Sequence, residues 1–218
     1  MKKFFRLTMD VKEVVVNRRS VRSYLPKPVP NEVISEILDT ARYAPSSGNL
    51  QNWKVILVSD SEKKMELATA ALRQKWITSA PVLLIVCNDL SDVKRLYKDR
   101  GEFLYSIQNI AAFVQSMLLT AQSLGLATCW VGAFDPDAVK RVVRIPEGVE
   151  PEAIITLGYS AEEVDAPPRK AVDQFVFFEQ WGSKEKGFGT FPLEKHKGKV
   201  GEVQEKGKGF LGKLFGKK

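Results

Sequence analysis

Apolar runs of strand length alternating with amphipathic helical stretches predict a mixed α/β layer within one catalytic-size domain. Residues 55–58, 82–87, 126–131 and 153–157 are dominated by aliphatic side chains and have the length of buried strands. Helical apolar spacing fills the intervals between them, and no change of composition marks a cut before Gly182 in a chain of 218 residues. The pair 126–131 and 153–157 is equally suited to antiparallel pairing.

The first element starts at Asp10, which with Glu13 three residues on resembles a capping box. Val11, Val14 and Val15 then form a helical stripe that runs to the arginines. Pro28-Val29-Pro30 interrupts. Pro30 suits the first turn of a second helix, where Val33, Ile34, Ile37, Leu38 and Ala41 recur on one face. That helix is expected to stop at Ala44, because the residue before Pro45 is pushed out of α geometry.

Pro45-Ser46-Ser47-Gly48-Asn49 is a turn-rich loop of small side chains that can approach a ligand closely. Residues 61–72 read as a helix, and Pro81 leads into the strand 82–87. Residues 89–101 are polar and charged, and are the best candidate for a mobile lid. The longest helical pattern runs over 103–124, with Phe103, Ile107, Ile110, Val114, Met117, Leu118 and Ala121 on a wide apolar stripe ended by Gly125. Such a helix is either the spine of the core or an oligomer seam. Asp135-Pro136 caps a short helix to Val143, and Phe175-Val176-Phe177-Phe178 is a late extended segment.

Composition narrows the chemistry. Of the formal charge of +7, +6 falls in residues 183–218, which hold ten lysines against four glutamates, so the body is nearly neutral. That argues against a basic groove for nucleic acid built into the fold. Cys87 and Cys129 lie in apolar runs and read as buried reduced thiols, which implies a reducing compartment. Met1-Lys2-Lys3-Phe4-Phe5-Arg6 begins as a signal peptide does but lacks the apolar core, and no apolar run nears the roughly 20 residues of a spanning helix. A cytoplasmic protein is expected. The single histidine, His196, removes a Ser-His-Asp triad and any multi-histidine metal site, so a bound organic cofactor is the natural carrier of a hard step.

Arg18, Arg19, Ser20 and Arg22 place three guanidinium groups and a hydroxyl within five residues, where a helix gives way to extended chain. The set suits a planar oxyanion such as a phosphate; a solvated basic helix end is the plain alternative.

Taken with Ala44-Pro45-Ser46-Ser47-Gly48-Asn49-Leu50-Gln51-Asn52-Trp53, Gln108-Asn109, the run Gly125 to Phe134, Leu157-Gly158-Tyr159 and Pro168-Arg169-Lys170, that block resembles the FMN-dependent nitroreductase family. The resemblance spans roughly residues 10–174. It implies an α+β fold with a central, mostly antiparallel sheet between helices, built as an intertwined homodimer with two FMN sites at the interface and helix 103–124 in the dimer core. Arg18, Ser20 and Arg169 would then hold the FMN phosphate, assisted by Arg19 and Lys170. Arg22 would approach the pyrimidine end, and Pro45, Ser46, Ser47 and Asn49 would come from the other subunit. Val131 and Gly132 would place backbone N–H groups near flavin N5, and Gln74 would contact the ring edge.

The implied activity is two-electron transfer by hydride from NADH or NADPH to a small flat acceptor such as a nitroaromatic or quinone. Reductive dehalogenation, flavin fragmentation, or a non-catalytic flavin module are the alternatives. The sequence departs from the family in two places: Asn52 precedes Trp53 where proline is common, and Val131-Gly132 stands where some members present a glutamate. Residues 1–182 are read as the FMN domain. Residues 183–218 are read as a Lys/Gly-rich tail whose Phe210, Leu211, Leu214 and Phe215 suit either a solubilising segment or contact with a membrane surface.

Overall fold

The computed structural model describes residues 10–185 and Gly189. His196 and the quartet Phe210, Leu211, Leu214 and Phe215 lie outside the described residues. The chain falls into two compact units: Arg18–Val164, and Asp10–Asn17 together with the residues from Asp165 on.

The larger unit is α+β. Its sheet has four strands, β1 (Trp53–Val58), β2 (Val82–Asp89), β3 (Ala127–Val131) and β4 (Val149–Gly158), in the order β1-β2-β4-β3, and every ladder is antiparallel. Of the two pairings left open for the third and fourth runs, the antiparallel one forms, with Val131 opposite Ile154. β2 and β4 are central and buried on both faces, which is why they read as unbroken apolar runs although the sheet is not parallel.

Each face has its own core. On one, Leu84, Val86 and Ile155 meet Ile34 and Ile37 of α2 (Asn31–Ala41) and Ile110, Phe113 and Met117 of α5 (Ser106–Ser123). On the other, Leu83, Ile85 and Ile154 meet Leu67 of α3 (Ser61–Ala70) and Val139 of α6 (Pro136–Val143). Asp60 and Asp135 cap α3 and α6 by accepting from the amides of Lys63 and Ala138 at 2.9 and 3.0 Å.

The structure corrects several expected elements. The second helix ends at Ala41, and a turn closed by Ala44 N–H on the Ala41 carbonyl at 2.9 Å continues to Pro45. Residues 89–101 are not an open loop. They form α4 (Ser91–Arg100), joined through a π-helical turn, Gly101–Tyr105, to α5. Gly101 is required there by space: a Cβ would lie 2.3 Å from the Val93 carbonyl oxygen. At its other end α5 closes in a Schellman motif, with Leu126 N–H on the Ala121 carbonyl and Gly125 at φ 74°.

By length and composition the helical stretch Ser91–Ser123 is also long and apolar enough to cross a membrane, against the expectation from uninterrupted runs. A single such helix is weak evidence, and a stripe of this one, from Ile110 to Leu118, is core.

In the smaller unit, α1 (Val11–Asn17) forms as expected, but Phe175–Phe178 is not a strand. A 3-10 turn, Val172–Gln174, precedes it, Phe177 packs on Trp181 at 4.7 Å, and Lys184 donates to the carbonyls of Asp173 and Val176. These local contacts take acceptors that a ladder would have used. Cys87 and Cys129 are free and buried.

Gly101→Ala should lower stability by about 2 kcal/mol, the cost of forcing a methyl group against fixed backbone. Chemical denaturation of the two proteins checks this; an unchanged midpoint would contradict the packing described.

Candidate functional site

The edge of β3 is covered by the chain leaving Arg18. Ser20 bridges Thr128 in parallel, Val21 N–H donates to the Thr128 carbonyl at 3.1 Å, and Tyr24 bridges Ser160. The segment is fixed from beneath by a buried polar knot. Tyr24 Oη donates to the Val21 carbonyl at 2.7 Å and lies 2.6 Å from Thr156 Oγ1, which in turn accepts from Cys129 N–H at 3.1 Å. Burial pushes the Tyr24 phenol well above its usual range, so it stays a neutral hydrogen-bonding group.

This anchoring brings Arg18, Arg19, Ser20 and Arg22 to one strand edge. Burial raises the Cys129 thiol, and the charges of Arg22 and Arg18, with a hydrogen bond to Ser20, partly offset that rise, which puts these groups around the same strand. Arg22 is further held: its backbone N–H and that of Ser23 donate to Glu162 Oε1 at 2.5 and 3.1 Å, and its guanidinium lies 5.7 Å from the centroid of Trp76. Arg19 Nη1 donates to the Arg18 carbonyl at 2.9 Å.

Val131 ends β3, and Gly132 follows it, exposed. A Cβ on Gly132 would meet only Trp130 Nε1, at 3.8 Å, so nothing crowds this backbone at the distance of a side chain. Gln74 donates from Nε2 to the Ala133 carbonyl at 3.1 Å, which holds its amide beside the turn after β3 and leaves Oε1 as an acceptor. Seven of the expected residues, Arg18, Arg19, Ser20, Arg22, Gln74, Val131 and Gly132, are thus gathered along β3 and the turn after it.

The loop Pro45 to Asn49 is elsewhere. It leads through Gln51 and Asn52 into β1, the opposite edge strand, three strand spacings or about 14 Å across the sheet. Here Ser47 donates from its backbone N–H and its hydroxyl to Asn109 Oδ1 at 2.9 and 3.2 Å, and Gln51 N–H donates to Ser46 Oγ at 3.1 Å. Gly48 takes φ 58° directly under the Tyr97 hydroxyl of α4, where a Cβ would be 2.6 Å away, and Asn49 follows at φ 57°. Pro45, Ser46, Ser47 and Asn49 therefore make a second cluster that one chain does not place beside the first. Arg169 and Lys170 are exposed in the smaller unit.

The sequence had not pointed to Trp76 or Glu162, which hold Arg22, nor to Asn109 as the anchor of Ser47. Glu162 follows the Leu157-Gly158-Tyr159 block closely and Trp76 follows Gln74 by two, but neither position carries a pattern that marks it. Together the β3 groups can bind a flat ligand: cations and a hydroxyl for an anionic end, an amide oxygen and backbone for a ring.

Comparison with known proteins agrees with the geometry. A model described as the Nitroreductase family matches residues 15–74 and 68–159. The chain is 36% identical over 158 residues, 71% of its length and 79% of the other, to a Methanothermobacter thermautotrophicus protein provisionally named an NADH dehydrogenase/NAD(P)H nitroreductase. It is 32% identical over 173 residues to the Bacillus subtilis FMN reductase [NAD(P)H], covering 73% of this chain and 70% of that one. Among solved structures, a nitroreductase family protein of Clostridium difficile superposes with a TM-score of 0.70 at 30% identity, covering 79% of this chain and 99% of that one.

Three buried acids, Cys87, Cys129 and Tyr24, weigh against stability at alkaline pH. Burial raises the Cys87 thiol to about 11 and raises the Tyr24 phenol, so above pH 9 the unfolded chain releases protons that the native chain retains. The unfolding midpoint should therefore fall between pH 9 and 11, by on the order of 1–2 kcal/mol, and Cys87→Ala should flatten the decline. Denaturation at pH 7, 9 and 11 measures it.

Proposed function

The chain belongs to the nitroreductase family, and from that premise we propose that it is a homodimeric FMN enzyme taking a hydride from NADH or NADPH and passing two electrons to a nitroaromatic, a quinone or a related flat acceptor. The supporting observation is the gathering of Arg18, Ser20, Arg22, Gln74 and Gly132 on one strand edge beside uncrowded backbone. The name of the Bacillus subtilis relative, an FMN reductase [NAD(P)H], points to the same cofactor and donors.

FMN fits these residues. Arg18, Ser20 and Arg169 would hold the phosphate, assisted by Arg19 and Lys170. Bound FMN would supply the two-electron step, accepting and giving hydride. Arg22, steadied by Glu162 and Trp76, would stand at the pyrimidine end, where negative charge gathers on reduction, and a fixed cation there favours the reduced form. Gln74 would accept from the ring edge, and Val131 and Gly132 would direct backbone N–H groups at the reacting edge. None of these roles requires a histidine.

The placement of Pro45, Ser46, Ser47 and Asn49 on the opposite sheet edge is what a site shared between two subunits would need. A second copy would bring that loop to the first copy's β3. Phe103 and Ile107, both exposed, would meet the partner at the start of the long helix. We place the enzyme in the cytoplasm, with residues 1–182 as the flavin domain and 183–218 as an appended tail.

The purified protein should be yellow, be bleached anaerobically by NADPH or NADH, and regain its colour with a nitroaromatic or quinone; an absorption spectrum with both titrations tests this. Protein that remains colourless after incubation with excess FMN, or that elutes as a single subunit, would overturn the reading. In the holoenzyme, Arg22→Leu should shift the flavin midpoint potential downward more than it weakens binding, and an unchanged potential would reassign the cation.

A further inference from the structure

Four side chains carry a hydrogen-bond relay from the Ser47 loop to the central strand β4. Ser47 donates from backbone N–H and hydroxyl to Asn109 Oδ1. Asn109 Nδ2 donates to Asn52 Oδ1 at 2.8 Å, Asn52 Nδ2 to Asn88 Oδ1 at 2.7 Å, and Asn88 Nδ2 to Glu152 Oε1 at 2.9 Å. The three asparagines are at most 5% exposed, so water cannot readily replace a lost partner.

The relay has a direction, and both ends fix it. A backbone N–H can only donate, and a carboxylate only accepts, so each amide between them has one orientation that satisfies its neighbours. The consequence reaches the loop. The Ser47 hydroxyl proton is spent on Asn109, and Ser47 Oγ meets a ligand with its lone pairs. Asn52 is the middle link.

We propose that Glu152 is a positioning residue for the flavin loop, setting through Asn88, Asn52 and Asn109 both the place of Ser47 and its hydrogen-bonding polarity. The proposal rests on the reading of Ser47 as an FMN contact for its functional meaning, while the relay itself is a property of the protein without cofactor.

Reversing the polarity at the anchor tests it. Glu152→Lys presents a donor to Asn88, and the amides must then turn over in sequence until Asn109 points an NH2 at the Ser47 N–H. Asn109→Asp alone presents an oxygen to Asn52 Oδ1 and creates the opposite conflict at Glu152. The double variant removes both, since the carboxylate introduced at position 109 accepts from Ser47 on one side and from a reversed Asn52 on the other.

Ser47 backbone amide exchange, followed by NMR in the apo-protein, should accelerate about tenfold in Glu152→Lys and return to within about threefold of wild type in the double, the scale of one charged hydrogen bond lost and regained, while Asn109→Asp alone, whose carboxylate still accepts from Ser47, should stay within about threefold. FMN dissociation constants should follow the same pattern, and Glu152→Gln, which keeps an acceptor, should stay within about threefold of wild type in both measurements.

Exchange in the double variant as fast as in Glu152→Lys, or unchanged Ser47 exchange in Glu152→Lys, would overturn the relay. A packing defect offers no reason for recovery when a second buried residue is changed three links away. Wild-type protein that fails to bind FMN would sink the proposed function, while the exchange data would still decide the relay.

Discussion

β2 and β4 are covered on both faces, and this constraint decides where chemistry can occur. A central strand with α2 and α5 on one side and α3 and α6 on the other leaves little room for charge along its covered length, because a polar group buried without a partner costs several kcal/mol. Function is therefore pushed to the two sheet edges. One edge is capped by Arg18–Tyr24, and the other is approached through the serine loop. Among the polar side chains that do enter the interior, Thr156 beneath Tyr24 and the three asparagines are hydrogen-bonded and tie those edges to the core.

Much of this arrangement is legible in the amino-acid order. The strands announce themselves as aliphatic runs, Asp135 as a cap, and Gly125 as a helix end. The arginine block and the serine loop were both visible as sites. What the chain does not spell out is relative placement. Residues 89–101 look like a loop because α4 is strongly charged along its length, and helical charge on a solvated face is easily mistaken for disorder. Phe175-Val176-Phe177-Phe178 has strand composition but is claimed by Trp181 and Lys184, contacts eight or fewer residues away that no periodicity reveals.

The candidate site shows the same division. Residue types suggest a kind of ligand, since guanidinium groups and a hydroxyl suit an oxyanion such as a phosphate. Trp76 and Glu162 escaped notice because their value lies in touching Arg22 across the fold, and distance in space is not written in local spacing. Asn109 was read only as part of a family block, and its bond to Ser47 spans 62 positions of sequence. The observation that did carry further was Asn52, the residue through which the interior reaches the loop.

Tyr97 and Gly48 bear on how such a chain can change over generations. With the phenol resting where a side chain at 48 would begin, and the backbone there in a left-handed turn, position 48 cannot drift alone. A bulkier residue at 48 becomes tolerable only after the aromatic ring has been trimmed or swung away, so lineages altering this mouth of the site must pass through a prior change on the neighbouring helix. The order of those steps, more than the variety of acceptors in the surroundings, limits which remodelled entrances selection can reach.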